Sequence, residues 1–279
     1  APRVLRRVGY EVVELFCTPD GTFPNRSPNP AQAESLAALS RAVRGAQAPL
    51  GVALDGDGDR LAIVDDRGRP LTGDQAIILL AREVLGTEAR GEKVVCDLKC
   101  SQAVLDAVRE RGAEPLLERS GHAFIKTRMI RERARFGGEL SGHFFYRELG
   151  GGDDGLFSIL RVAELVGRLD EPLAELVDAM PRYAITPDLR VPYEKGDGAQ
   201  RLEELARAAD GEVLRIDGVR VHYPDGWGLA RVSVTEPLLT FRFESYEGSP
   251  RRIAERLLEP APDLCRLVLE RLDAMEAPS

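Results

Sequence analysis

The chain has 279 residues, 43% hydrophobic, 30% charged and 6% aromatic, an ordinary globular composition with room for one large domain or two to three small ones. Its net charge of −8 argues against non-specific nucleic-acid binding, which needs a basic face to release counterions, yet leaves open an anionic small molecule gripped by local arginines. No run approaches the roughly 20 apolar residues of a membrane span and no signal peptide is recognisable, so no membrane partner and a cytoplasmic home are expected, with the start at Ala1 open to processing or to a fragment.

Residues 4–16, "VLRRVGYEVVELF", read as the tail of a helix, a turn at Gly9 and a short apolar strand. A proline-rich loop follows, then a helical stretch, "AQAESLAALSRAV". In "PLGVALDGDGDRLAIVDDRGRPL" one apolar strand enters an aspartate loop, a second leaves it, and Asp66-Arg67-Gly68-Arg69 marks a turn. That order leaves the first domain, residues 1–70, without its beginning. From residue 71 to 182 helices alternate with strands: "DQAIILLAREVLG", "EKVVCDL", "SQAVLDAVRERG", "EPLLERS", the basic helix "AFIKTRMIRERARF", the strand and loop "FGGELSGHFFYREL", then "LFSILRVAELVGRL" and a short helix. Such alternation predicts an α/β layer domain. Beyond Pro181 and Pro187 a strand, a helix, three or four short strands and helices broken at Pro260 and Pro262 predict an α+β domain at 183–279. The expected fold class is therefore α/β: two consecutive α/β layer domains, the first incomplete, followed by a C-terminal α+β domain.

The four cysteines, at 17, 96, 100 and 265, are too few and too scattered for a disulfide scaffold. Cys96 and Cys100 have no second pair or histidine cluster to complete a zinc site, and inert thiols are the plain reading.

The aspartate loop carries more information. Counting from Asp55, a calcium EF-hand would need glycine at position six and glutamate at twelve, where the chain has Arg60 and Asp66. A solvated acidic turn is the bland alternative. Gly56 and Gly58, however, let the backbone bend until Asp55, Asp57 and Asp59 converge, which serves no packing purpose. Hard oxygen donors with room for a phosphate oxygen describe a Mg²⁺ site.

In "GGELSGH", Glu139, Ser141 and His143 alternate, and in an extended loop all three would project to one side to meet sugar hydroxyls, with a polar edge strand as the alternative. Lys99 and His122 each follow a strand, at the carboxyl ends where open α/β sheets gather their functional groups. Either alone reads as structural. In "GLARVSVTEP", Arg231, Ser233 and Thr235 form a possible phosphate cradle or, by pattern alone, an amphipathic strand. "GGGDDG" at 150–155 matches a loose nucleotide-loop pattern, but Asp153 and Asp154 place negative charge where a pyrophosphate would sit and read as helix caps. The serine of "RSPNP" has no neighbouring base and belongs to a loop.

Taken in order, "DGDGDR", the lysine of "DLKC", "GH", "GELSGH" and "GVRVHYPDGWGLARVSVTEP" resemble the α-D-phosphohexomutase superfamily, and within it the bacterial phosphomannomutase/phosphoglucomutase group. The resemblance spans residues 55–237. It implies an enzyme that interconverts hexose 1-phosphates and 6-phosphates of mannose or glucose through a phosphoserine and a hexose 1,6-bisphosphate. It further implies that Asp55, Asp57 and Asp59 hold Mg²⁺ together with the phosphoserine, with Arg60 beside that phosphate. Lys99 and His122 would serve as general acid/base or charge-stabilising groups. Glu139 and Ser141 would bind sugar hydroxyls with His143 in support, and Arg231, Ser233 and Thr235 would grip the non-reacting phosphate.

Two features depart from that pattern. Val234 stands where the family's phosphate loop usually carries asparagine, and no serine motif of the T-A-S-H-N-P type precedes the metal loop. The chain is thus expected to lack an N-terminal phosphoserine domain, its intramolecular partner, and to be inactive alone. A non-catalytic sugar-phosphate-binding remnant is the rival reading. A phosphoglucosamine mutase is a third, ranked lower because Leu140 stands where that branch tends to carry glutamine.

Overall fold

Short apolar strands alternating with longer amphipathic helices bury both faces of a sheet when the helices cover it. The computed structural model, which describes every residue except 31, 194–195, 234–235 and 277–279, arranges the chain as two compact units, Ala1–Pro181 and Arg182–Ser279.

In the first unit, α1 (Pro2–Arg7) and α2 (Ala33–Ala46) precede an antiparallel two-stranded sheet of β1 (Leu50–Leu54) and β2 (Leu61–Asp65). Gly9 makes the expected turn at φ +98°. The strand expected after it does not form. Among the described residues no strand pairs with 10–16, and a strand persists only within a ladder; Val13 and Phe16 accordingly stand 68% and 45% exposed.

The remainder of this unit follows the sequence pattern closely. Helix α3 (Gly73–Leu85) opens with a capping box in which the Thr72 hydroxyl accepts from the Gln75 N–H and the Gln75 side chain accepts from the Thr72 N–H. Then come β3 (Lys93–Asp97), α4 (Gln102–Glu110), β4 (Glu114–Glu118), α5 (His122–Glu132), β5 (Phe136–Gly138), β6 (Phe144–Tyr146), β7 (Gly152–Asp153), α6 (Gly155–Gly167) and α7 (Leu173–Asp178). The sheet order is β4–β3–β5–β6–β7, with β4, β3 and β5 parallel and β6 and β7 antiparallel. Val94, Val95, Phe136 and Phe145 are fully buried in its strands, as are Ile77 and Leu80 in α3.

The second unit contains β8 (Ala184–Ile185), β9 (Leu189–Pro192), α8 (Gly198–Ala208), β10 (Glu212–Leu214), β11 (Val219–Tyr223), β12 (Gly226–Val232), β13 (Leu238–Ser245), α9 (Pro250–Leu258) and α10 (Pro262–Glu276). Its sheet runs β10–β11–β12–β13, with β8 and β9 both paired to β13, antiparallel throughout. Helices α8 and α9 pack on it over Val221, Phe241, Phe243, Ile253 and Leu257. This is the expected α+β arrangement. Among the described residues no helix is long and apolar enough to cross a membrane.

Candidate functional site

The hairpin of β1 and β2 ends at the pair Leu54 and Leu61, so residues 55–60 must reverse direction. Gly58 makes the turn at φ +83°. Asp55 organises it from within. Its Oδ1 accepts from the backbone N–H groups of Gly58 at 3.0 Å and Arg60 at 3.2 Å, and its Oδ2 accepts from Arg60 Nε at 2.6 Å. Asp57 stays exposed, and oxygens of Asp55, Asp57 and Asp59 lie within 4.8 Å of one another, as the glycine spacing predicted.

That proximity is electrostatically unfavourable without a cation. Asp59 Oδ1 is buried and accepts no hydrogen bond. Burial, joined by the Asp55 and Asp57 carboxylates and opposed by His143, holds the Asp59 carboxyl above its usual range. Three converging carboxylates with an unsatisfied buried oxygen fit a divalent metal ion.

A second loop abuts the first. Leu61 N–H donates to the Gly142 carbonyl at 3.0 Å, and Arg60 and His143 form an isolated antiparallel bridge. Gly142 is required here: it lies at φ +97°, and a Cβ would come 2.9 Å from the Leu61 carbonyl oxygen. Residues 139–143 are not the extended loop read from the sequence. They are the turn of a β5–β6 hairpin, closed by Glu139 N–H to the His143 carbonyl and Gly142 N–H to the Glu139 carbonyl, each 3.0 Å. The expected side chains still converge, because the turn folds them together. Ser141 Oγ lies 2.8 Å from His143 Nδ1, and Glu139 Oε2 lies 3.5 Å from the same nitrogen.

Burial tends to raise the Glu139 carboxyl, but His143, Ser141 and Lys99 outweigh it and hold that carboxyl below its usual range. Burial likewise disfavours the His143 imidazolium, yet Glu139, Asp59 and Asp153 leave it above the usual histidine value.

Lys99, His122 and Glu139 follow the carboxyl ends of β3, β4 and β5, three adjacent parallel strands, and so share one edge of the sheet. Asp97, which the sequence reading passed over, ties these connections together. Only 1% exposed, it accepts from Lys99 N–H at 2.9 Å, Ser120 Oγ at 2.7 Å and Leu140 N–H at 3.4 Å. Its signal was a carboxylate ending an otherwise apolar strand.

The two aspartates of "GGGDDG" divide their roles. Asp154 caps α6, accepting from Phe157 N–H at 2.9 Å, as expected. Asp153 is no cap: it sits on β7 opposite Phe145, its side chain 8% exposed, with Oδ1 at 2.8 Å from His122 Nε2. Its Oδ2 lies 3.9 Å from His143 Nε2, and the His122 and His143 rings meet edge to face at 5.6 Å. One aspartate suffices to cap a helix, and that redundancy was the available clue.

In the second unit Arg231 lies on β12, paired with Asp217. Ser233 follows, its N–H donating to the Leu238 carbonyl at 3.0 Å and its Oγ accepting from Glu236 N–H at 3.2 Å. Thr235 and Val234 fall outside the described residues. Cys96 and Cys100 are buried and Cys265 partly so, while Cys17 is exposed; none of the four forms a disulfide among the described residues.

These features define an α/β protein with an acidic loop beside a polar hairpin, joined to an antiparallel α+β unit. Models of the phosphoglucomutase/phosphomannomutase family match most of its length: α/β/α domain II over residues 1–68, α/β/α domain III over 72–183 and the C-terminal domain over 189–259. A phosphoglucomutase from Neisseria gonorrhoeae is 40% identical over 274 residues, 95% of this chain and 59% of that protein. A phosphomannomutase/phosphoglucomutase from Pseudomonas aeruginosa is 35% identical over 249 residues, 88% and 54% of the two chains. The crystal structure of a phosphoglucomutase/phosphomannomutase family protein from Burkholderia thailandensis superposes with a TM-score of 0.84 at 36% identity, covering 95% of this chain and 57% of that one. The chain belongs to the phosphoglucomutase/phosphomannomutase family of the α-D-phosphohexomutase superfamily. It spans a little over half the length of these relatives.

Proposed function

We propose that the chain is the metal-, sugar- and phosphate-binding part of a cytoplasmic phosphomannomutase/phosphoglucomutase, divided into domains at 1–70, 71–182 and 183–279. The reaction interconverts hexose 1-phosphate and hexose 6-phosphate through a hexose 1,6-bisphosphate, and the phosphoserine that exchanges the phosphoryl group is supplied by sequence outside residues 1–279. The observation that carries this reading is the convergence of the three-aspartate loop with the Glu139–Ser141–His143 turn in a chain of this family.

Asp55, Asp57 and Asp59 would hold Mg²⁺, which when bound neutralises charge on a phosphoryl oxygen. Arg60, anchored through Nε to Asp55, would offset the charge of the transferring group. With Nε2 of His122 engaged by Asp153, Nδ1 is the ring nitrogen that would exchange a proton with a sugar hydroxyl. Lys99, at the neighbouring strand end, adds positive charge. Glu139 and Ser141 would orient the sugar by accepting from its hydroxyls while His143 braces them. Arg231, Ser233 and Thr235 would hold the other phosphate, which then competes with Asp217 for Arg231.

The test is an assay of the full-length protein with glucose 1-phosphate and mannose 1-phosphate. Appearance of the corresponding 6-phosphate is expected, together with inactivity of the 279-residue chain alone. Failure of the full-length protein to convert either sugar overturns the proposal.

A further inference from the structure

Asp59, His143 and Asp153 come from three different elements, the metal loop, the β5–β6 turn and β7, yet their donor atoms lie within 4.8 Å of one another. His143 Nε2 stands 3.5 Å from Asp59 Oδ2 and 3.9 Å from Asp153 Oδ2. Donors about 3.4 Å apart are what a four-coordinate ion with bonds of about 2.0–2.2 Å requires. Behind each of two donors stands a partner on its other atom. Nδ1 of His143 faces Ser141 and Glu139, and Oδ1 of Asp153 faces His122. Carboxylate behind histidine is the usual support of a metal-binding imidazole, fixing the ring so that the opposite nitrogen points at the ion.

One atom aimed into this space is buried and accepts no hydrogen bond: Asp153 Oδ2, on a side chain only 8% exposed. Protein structures rarely leave such oxygens unsatisfied.

We propose that His143 Nε2, Asp59 and Asp153 form a second cation site, distinct from the three-aspartate loop and suited to a four-coordinate transition metal of the Zn²⁺ class. One nitrogen and two carboxylate donors favour such an ion over Mg²⁺, which prefers an all-oxygen octahedron. Binding displaces the proton from Nε2. Because Asp59 serves both sites and the two dications repel, Mg²⁺ and Zn²⁺ bind antagonistically.

The site is tested on the 279-residue chain, carrying Cys17→Ser to remove the exposed thiol, by calorimetric titration with Zn²⁺ alone and Mg²⁺ alone. One Zn²⁺ per chain is expected. His143→Gln and Asp153→Asn should each weaken it by at least about 100-fold, and Glu139→Gln, which alters only the group behind the ligand, by about 10-fold or more. Asp57→Asn should leave Zn²⁺ affinity within about twofold, the scatter of independent sites, while abolishing Mg²⁺ binding. Equal loss of Zn²⁺ in Asp57→Asn and His143→Gln would place the ion in the aspartate loop and overturn the proposal. A variant-independent check uses the three histidines of the chain: one equivalent of Zn²⁺ must shift the ring resonances of His143 and leave those of His222 in place. An unmoved His143 ring is equally fatal.

Discussion

Arg60 and Asp55 close the acidic loop on itself, with Arg60 Nε 2.6 Å from Asp55 Oδ2 and the carboxylate only 1% exposed. Burial alone would push the Asp55 carboxyl up, but Arg60 and the N–H groups of Arg60 and Gly58 outweigh it and hold it below its usual range. Removing the guanidinium therefore strands a buried charge. Arg60→Ala should destabilise the chain by about 2 kcal/mol, less than a wholly buried pair because Arg60 is 29% exposed. Arg60→Lys should recover only part of that, since an ammonium cannot reproduce the Nε–H geometry. Urea unfolding followed by far-UV circular dichroism reads both, and equal stability of Arg60→Ala and wild type would refute the assignment.

Asp59 shows the opposite balance, its carboxylate crowded by two others and one oxygen left without a donor. Asp59→Asn should raise the melting temperature of the metal-free chain by an amount equivalent to under about 1 kcal/mol, given its partial exposure. On the proposed metal site, Mg²⁺ should stabilise wild type by binding only the folded state, and the same change should erase that stabilisation. A stability cost of this kind, recovered on removing function, marks a binding site. A variant less stable than wild type without metal, yet still responsive to Mg²⁺, would count against it.

How much of this was readable from sequence depends on the range of the interactions. The alternation in residues 71–182 is a local signal, and helices α3 to α6 and strands β3 and β4 lie where it put them. The strand expected at 10–16 was misread because apolar residues alone do not supply a ladder partner. The aspartate spacing was legible because glycine limits what the loop can be. Glu139, Ser141 and His143 were expected to converge from an extended loop and instead converge through a turn, since two strands of three residues each carry too little pattern to announce a hairpin. Asp97 and Asp153 act on residues far along the chain, Ser120, Leu140, His122 and His143, and no local pattern encodes such contacts.

Glu92 accepts from both terminal nitrogens of Arg147, each at 2.8 Å. That hydrogen bonding, opposed by burial, holds its carboxyl below the ordinary 4.5. A carboxyl lower in the folded than in the unfolded state contributes stability that is full above the unfolded value and is lost as pH falls through the folded one. The contribution is under about 1 kcal/mol for a pair this exposed. Glu92→Gln should therefore fall below wild type in urea unfolding at neutral pH, and the gap should close below about pH 4.5. A gap independent of pH would assign the effect to packing.

The second unit contains the chain's single tryptophan, so intrinsic fluorescence reports on that unit. Trp227 Nε1 donates to Glu244 Oε2 at 2.6 Å, and the Arg220 guanidinium carbon lies 3.7 Å over the indole; all three residues are fully buried. Glu244→Leu leaves the indole N–H without its acceptor and places an apolar group in a polar cluster, which should cost about 3 kcal/mol. Glu244→Gln keeps an acceptor oxygen and should cost less than half as much. Fluorescence-monitored urea unfolding ranks the two, and equal losses would show that the charge of Glu244, which both variants remove, matters rather than its acceptor role.

Helix α6 begins against the aspartate loop: Gly155 N–H donates to the Gly58 carbonyl at 3.1 Å. A Cβ on Gly155 would fall on that carbonyl oxygen and 2.5 Å from Leu54 Cδ2. Backbone cannot swing aside as a flexible side chain does, so Gly155→Ala must push the helix and loop apart at a cost of about 1–3 kcal/mol. Gly45, exposed in α2, has nothing within 4 Å of its virtual Cβ. There the same substitution should stabilise by up to about 1 kcal/mol through helix propensity. The two variants therefore separate backbone preference from steric need. Gly155→Ala should also weaken Mg²⁺ binding, because Gly58 sits between Asp57 and Asp59. Mg²⁺ titration of both variants checks this: affinity falls in Gly155→Ala and holds in Gly45→Ala if the helix start positions the loop, and is unchanged in both if it does not.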